Sequence, residues 1–255
     1  MPAFTSLKKP LLSKEVEDQI RNSIANRTFH FGDKLPTELE LAEQFQVSRA
    51  TVRDAIKNLQ IMGLLSVKRG LNAGAYVSEP NPNPITQSLQ NLLQMNRVHF
   101  GHLIEIRLYI EPDVARSVAM YHRPEDIDRL SELLAEAESQ IDRSWKEARL
   151  TNVRFHCEVA KITGNVLIVF LCESITQIYS GLIIEGSQKK LDTQGILKLI
   201  SEHRAILNAI AAGNGEKAFE KTQRHLLETY QTYSKILPGV RDEVVRKRIM
   251  SMVRR

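Results

Sequence analysis

Residues 37–63, TELELAEQFQVSRATVRDAIKNLQIMG, read as two short helices joined by a tight turn. Thr37 opens the first: its hydroxyl can accept from the backbone N–H of the third helical residue while Glu40 reaches back, the reciprocal pattern of a capping box. Leu41, Ala42 and Phe45 form its buried face. Ser48 opens the second helix as N-cap, with Val47 before it and Val52 placed to close an apolar staple across the entry. Val52, Ile56 and Leu59 follow at helical spacing and face the core, which leaves Arg49, Arg53 and Lys57 on the opposite side at i, i+4, i+8. Gly63 stands where a left-handed residue ends such a helix. The pattern is that of a helix-turn-helix, whose second helix enters the DNA major groove with its N-terminal residues at the base edges, and Arg can bond guanine O6 and N7 together. Arg49 and Arg53 are the expected base readers, with Thr37, Ser48, Thr51 and Lys57 on the same DNA-binding face. A basic i, i+4 pair is more often a solvated surface, but here cap, staple, core stripe and basic face agree within one window.

The residues that follow, LLSVKRGLNAGAYV, carry strand-like ends at Leu65–Val67 and Ala75–Val77 around a basic, glycine-containing tip. Such a hairpin wing can lie along phosphates or enter a minor groove, with Lys68, Arg69 and Gly70 as its contacts. Upstream, residues 13–27 form an amphipathic helix with Val16, Ile20 and Ile24 on one face, followed by the turn FHFGDKLP.

The run GDKLPTELELAEQFQVSRATVRDAIKNLQIMGLL resembles the GntR family of bacterial winged-helix transcription regulators, whose pattern is close to G-x-x-LPSE-x-x-LA followed by VSR-x-x-VR-x-A-x-x-x-L-x-x-x-GL. The resemblance covers most of the first 78 residues and implies a DNA-binding regulator. Where the family usually carries an Arg that contacts DNA, this chain has Leu39, which implies a different operator contact at that point.

Composition sets wider bounds. A chain of 255 residues with 42% hydrophobic content suits two soluble domains. The longest uninterrupted apolar run, Val166 to Cys172, is too short to span a bilayer, and no basic and then apolar leader opens the chain, so a cytoplasmic protein with no membrane partner is expected. Cys157 and Cys172 lie in helix-like apolar patterns and read as buried, reduced thiols. The net charge of +5 is uneven: residues 1–78 carry 11 Lys and Arg against 8 Asp and Glu, and residues 238–255 carry 6 against 2. Positive charge gathers on the proposed DNA module, 1–78, and on a basic tail, 238–255, which suits a polyanionic partner. That tail reads as a disordered end, a docking helix or a phosphate-binding arm, a surface helix being preferred.

SEPNPNPI, residues 78–85, alternates three prolines and reads as an extended linker over 79–85. Beyond it the spacing predicts helices at about 86–96, 100–121, 124–142, 145–163, 165–185, 195–212 and 215–236, with Pro124 at a first helical position, Ser144 and Asn165 as N-caps and Gly213 past a C-terminus. The expected fold is therefore mostly α: an N-terminal winged helix-turn-helix, then an all-α helical bundle over 86–237. Within the bundle, Asn152 and His156 lie at i, i+4 in RLTNVRFHCEVA, His203 in SEHRAILNAI and His225 in TQRHLLETY. Apolar residues flank all three histidines at helical spacing, so they should point inward. Three imidazoles and a side-chain oxygen suit a divalent metal such as Zn²⁺, with Ni²⁺ or Mn²⁺ as alternatives, although inward histidines are more often satisfied by hydrogen bonds alone.

RLYIEPDVARSVA, the N-x-x-FH run, the EHRAI run and the final RHL are similar to the C-terminal ligand domain of the FadR subfamily, the FCD domain. In its metal-binding members an Asp four residues before the FH histidine and three histidines hold the ion. The resemblance thus implies a site of Asn152, His156, His203 and His225, with the family Asp replaced by a neutral amide. It also implies that Arg107 works in the effector cavity, where a guanidinium suits a carboxylate; the alternative is a salt bridge with Glu111 at i+4. A small organic acid or sugar acid is the implied effector, and a homodimer on a pseudo-palindromic double-stranded operator is the expected assembly. Two other functions fit the same residues: a regulator for which the ion itself is the signal, and a small three-histidine metalloenzyme. The second lacks a general base in register, since Glu202 and Glu158 adjoin ligands in sequence but point about 100° away on a helix.

Overall fold

Val16 and Ile20 on one face of α1 (Leu12–Ala25) enter the N-terminal core, and Glu17, buried on the same side, ties α1 to α3 (Arg49–Ile61) by accepting from Asn58 Nδ2 over 3.3 Å. The structure is a computed structural model that describes residues 12–95, 98–186, 193–234 and 243–252. The chain divides into two units, Met1–Pro84 and Ile85–Arg255.

In the first unit, α2 (Glu38–Phe45) starts on the anticipated capping box: Glu40 N–H donates to Thr37 Oγ1 over 3.3 Å, and Thr37 N–H donates to Glu40 Oε2 over 2.7 Å. Its end is less ordinary. Gln46 takes a left-handed conformation, φ 53°, with no glycine to ease it, and its N–H turns back to the carbonyls of Ala42 and Glu43. That kink delivers Ser48, whose Oγ accepts from Thr51 N–H over 3.1 Å, to the start of α3. Val52, Ala55, Ile56 and Leu59 of α3 pack with Leu41 and Ala42 of α2 into one core, and Gly63 closes α3 at φ +75°. The wing follows as β1 (Leu65–Lys68) and β2 (Gly74–Val77), antiparallel with Leu65 opposite Val77 and Lys68 opposite Gly74. Lys34, in the turn before α2, forms a single bridge to Tyr76 on the far side of β2.

The second unit is all helix among the described residues: α4 (Asn83–Gln94), α5 (Phe100–Tyr121), α6 (Pro124–Gln140), α7 (Trp145–Ile162), α8 (Val166–Gly186), α9 (Thr193–Ala211), α10 (Gly215–Tyr233) and α11 (Glu243–Met252). The mostly α fold with a small β wing is as the sequence predicts. Caps at Ser144 and Asn165 and the left-handed Gly213 stand where the spacing places them.

Two features differ from the sequence reading, and the basic tail takes one of the three forms left open for it. The stretch 79–85 is not extended throughout: α4 begins at Asn83, because Pro84 falls in a first helical turn, where a missing N–H is harmless, and Asn83 N–H donates to Asn81 Oδ1 over 3.1 Å. Helix α8, whose uninterrupted apolar run is short, is over Val166–Ile184 long and apolar enough to cross a membrane. Its composition has a local reason, since Ile175, Ile178, Tyr179 and Ile183 enter the core of this unit. The described part of the basic tail, 243–252, is a docked helix: Val245 and Ile249 are buried against α5, Gly101 leaves room for Val245, and Arg248 donates to both carboxylate oxygens of Glu105 over 2.6 and 2.9 Å. The remainder of that tail, and residues 235–236 of the last expected bundle helix, lie outside the described residues.

Two apolar clusters fill this unit, one on the C-terminal half of α5 with α6, α7 and α9, the other on the N-terminal half of α5 with α8, α10 and α11. Buried polar side chains of α5, α7, α9 and α10 meet within the same bundle. Cys157 and Cys172 are free thiols, buried as expected.

Candidate functional site

On the winged unit the exposed face of α3 carries Arg49, Arg53 and Lys57, while Val52 on the opposite side is completely buried. The Ser48 and Thr51 hydroxyls lie 2.8 Å apart at the head of the helix, with Ser48, the cap, exposed and Thr51 partly so. Arg53 is not a loose cation: its Nε and Nη2 each donate to Glu38 Oε2 over 3.1 Å, which fixes the guanidinium against the first turn of α2. Glu38 was not singled out in the sequence, because the contact crosses between two helices and no spacing rule announces it. Leu39 is half exposed where the resemblance would place an Arg. In the wing, Lys68, Arg69 and Gly70 are exposed, Gly70 turns at φ +88°, and the Lys68 ammonium sits 4.4 Å from the centre of the Tyr76 ring.

In the helical unit the three histidines come together. His203 on α9 is completely buried, and its Nε2 lies 3.0 Å from Nε2 of His156 on α7 and 3.0 Å from Nε2 of His225 on α10. Phe155 stacks on His203 at 4.7 Å between ring centres and fixes the plane of that ring. The other nitrogen of each imidazole faces an acceptor: His156 Nδ1 meets Glu111 Oε2 at 2.8 Å, His203 Nδ1 meets Asn152 Oδ1 at 2.8 Å, and His225 Nδ1 meets Glu202 Oε2 at 2.7 Å. A carboxylate and an amide oxygen can only accept, so each Nδ1 carries the proton and each Nε2 presents a lone pair. Three lone pairs aimed at one another are favourable only around a cation. Two imidazole nitrogens bound to one Zn²⁺ at roughly 2.0–2.1 Å lie roughly 2.9–3.4 Å apart, and the observed separations fit.

Burial keeps all three rings neutral near pH 7, the form that ligates. It pushes His156 down to about 4 despite the raising influence of Glu111, lowers His203 well below its ordinary value with help from His225, and lowers His225 against the pull of Glu202. The three histidines thus form a buried cluster that can hold a metal ion. Asn152 stands differently from the reading as a ligand: its oxygen is used on His203 Nδ1, and its Nδ2, also buried, has no partner. Arg107, buried on α5, donates to Glu111 from Nε over 2.6 Å and from Nη2 over 3.2 Å. Burial would raise Glu111, but Arg107 and His156 outweigh it and hold that carboxyl below its ordinary range. The i+4 salt bridge is therefore the contact Arg107 makes, and through Glu111 it reaches His156. Glu202, out of register as a catalytic base, orients His225. Arg149, which sequence reading missed, lies on α7 three residues before Asn152 and seven before His156; that spacing on an inward face was the available signal.

A basic, capped helix-turn-helix with a wing, carried on the same chain as a helical unit enclosing a histidine cluster, defines a DNA-binding protein with an attached ligand domain. Comparison with known proteins agrees. Residues 12–77 match the bacterial regulatory proteins of the gntR family, and residues 102–228 match the FCD domain. LutR, an HTH-type transcriptional regulator of Bacillus subtilis (strain 168), is 33% identical over 205 residues, spanning 80% of this chain and 92% of that protein. The HTH-type transcriptional repressor NanR of Escherichia coli is 27% identical over 230 residues, 89% of this chain and 86% of that one. Among solved structures, Streptococcus agalactiae GntR superposes with a TM-score of 0.65 at 27% identity, covering 86% of this chain and 99% of that one. The chain belongs to the GntR family and is a transcription regulator with an FCD effector-binding domain; its relatives regulate transcription and are not enzymes, which sets the metalloenzyme reading aside.

Proposed function

We propose that the protein is a cytoplasmic repressor that grips a pseudo-palindromic operator as a homodimer and releases it when a small organic acid or sugar acid binds beside a zinc ion in the helical unit. The single observation that carries this reading is the convergence of three neutral, buried Nε2 atoms whose rings are each oriented by an acceptor. His156, His203 and His225 would hold the ion, which when bound supplies a Lewis-acidic position for a carboxylate oxygen. Arg107 can meet that carboxylate only by giving up Glu111, so its resting role is to steady His156.

On the DNA side, Arg49 and Arg53 would read bases while Thr37, Ser48, Thr51 and Lys57 approach the backbone, with Lys68, Arg69 and Gly70 of the wing on phosphates. One recognition helix covers few bases, and a two-fold pair reads two half-sites. Taking one cation off a phosphate lowers the slope of log affinity against log salt by about 0.9. In a homodimer Lys68→Ala and Arg69→Ala each remove two such cations and should lower it by about 1.8 without changing base preference; a salt titration by fluorescence anisotropy checks this, and an unchanged slope would take the wing off the phosphates.

The reading is tested by operator binding of the zinc-loaded and the zinc-free protein, each with and without added acids, L-lactate first because one relative is a putative L-lactate dehydrogenase operon regulatory protein of Escherichia coli (strain K12), 28% identical over 229 residues. Release by an acid only when zinc is present supports the proposal. Release by zinc alone would make the ion the signal.

A further inference from the structure

Arg149 is 3% exposed, and among the described residues it has no carboxylate partner. Its Nη2 donates to the Tyr179 hydroxyl over 3.0 Å, its guanidinium carbon lies 5.8 and 5.4 Å from the ring centres of Tyr179 and Tyr233, and its Nε is buried with nothing to donate to. Arg107 is the contrast: an equally buried guanidinium, but fully matched by Glu111. A buried cation without a counter-ion is among the least favourable things a core can hold, and one kept in place implies a partner that arrives from outside.

The surroundings agree on the sign of that partner. Besides Arg149 Nε, the buried polar atoms without a partner include Asn152 Nδ2 and Thr229 Oγ1, and the Tyr233 hydroxyl has only the Arg149 guanidinium beside it. An amide nitrogen donates only, and both hydroxyls have a proton to give; Tyr179, which already accepts from Arg149, has one too. Burial pushes the Tyr233 phenol up to about 12, so it keeps its proton. Asn152 is the residue whose oxygen orients His203, and Thr229 lies one turn beyond His225 on α10, so these donors border the histidine cluster. Thr229 and Tyr233 also line a cleft between α9 and α10, whose two carboxylates, Glu202 and Glu228, are both paired with Lys198.

We propose that Arg149, with the Tyr179 and Tyr233 hydroxyls and the Asn152 amide, is the carboxylate-binding end of the effector pocket, and that Arg107 is a positioning residue acting through Glu111. This rests on the reading of the helical unit as an acid-binding domain. It also gives Asn152 a use that an Asp at the same position could not serve: an amide can orient His203 with its oxygen and donate to an incoming anion with its nitrogen, whereas a second carboxylate would repel the anion.

The test uses the full chain loaded with zinc, titrated with L-lactate, malonate, citrate, gluconate or glucuronate against sodium chloride at equal ionic strength, and read by thermal shift and calorimetry. Wild type should respond saturably to at least one acid, and Arg149→Met should bind that acid at least tenfold more weakly with zinc stoichiometry retained. The ligand-free melting temperature of Arg149→Met should stay level or rise, because an unmatched buried charge has been removed; a purely structural arginine would lower it. Tyr233→Phe, which keeps the ring, should weaken acid binding severalfold and serves if Arg149→Met does not fold. Arg107→Lys should weaken it less than Arg149→Met. Wild-type acid affinity in folded Arg149→Met or in Tyr233→Phe overturns the assignment while leaving the effector reading in place. No response of wild type to any of the acids overturns that reading, and this assignment with it.

Discussion

A His203→Ala variant is expected to bind zinc at least 10- to 100-fold more weakly and to lose its response to any acid effector, with operator affinity unchanged. His203 is the centre of the cluster, since its Nε2 is the one placed 3.0 Å from both others and its Nδ1 holds the Asn152 oxygen. Replacing it by Ala removes one ligand, leaves a void beside Phe155 and strands the Asn152 oxygen, which together should also lower the stability of the metal-free helical unit by a few kcal/mol, about 1–3 from the unpaired buried acceptor alone. The caps and apolar stripe of α2 and α3 are untouched by the change, so DNA binding should survive. Zinc content by plasma mass spectrometry, together with operator binding in the same preparation, checks both halves. Stoichiometric zinc in a folded His203→Ala protein would refute the metal assignment.

Arg53→Ala is expected to weaken operator binding by about 5- to 150-fold for each half-site and to relax the preference at one base pair in each. The hold of Glu38 on Arg53 sharpens this expectation, because a guanidinium already fixed against α2 loses less freedom on meeting a guanine edge. Glu38→Gln should therefore blur the same base pair while leaving non-specific affinity equal or higher. Anisotropy titrations over operator variants measure both. If Arg53→Ala binds every variant as wild type does, Arg53 is only a surface cation held by Glu38.

The helix-turn-helix was legible in the sequence because its determinants are local. Thr37, Glu40, Ser48 and the Val52, Ile56, Leu59 stripe act within four residues of one another, and each stands in the structure as its spacing requires. The histidine cluster was legible only as a direction: flanking apolar residues turned three imidazoles inward, but which nitrogen faces the centre depends on Glu111, Asn152 and Glu202, each of which approaches its imidazole from another helix. Asn152 illustrates the limit. A motif position suggested a ligand, while the side chain sits on the back of His203. For Arg149 the spacing before Asn152 and His156 gave its direction, but its missing counter-charge is a property of packing and leaves no mark on the sequence. Pro84 misled in the other direction, since a proline after alternating prolines reads as extended chain and equally well begins a helix.

The two cysteines carry a practical consequence. Burial pushes the Cys157 thiol up to about 11 and raises Cys172 further, so neither is a nucleophile while the helices around it stay closed. Cys157 follows His156 directly on α7, and Cys172 lines the same small pocket as His156 and Glu111. Maleimide labelling under native conditions thus clocks the opening of the helical unit beside its metal-binding centre, with no fluorophore or engineered handle, and slowing of that clock by zinc or by an acid reports occupancy even for ligands that give no other signal.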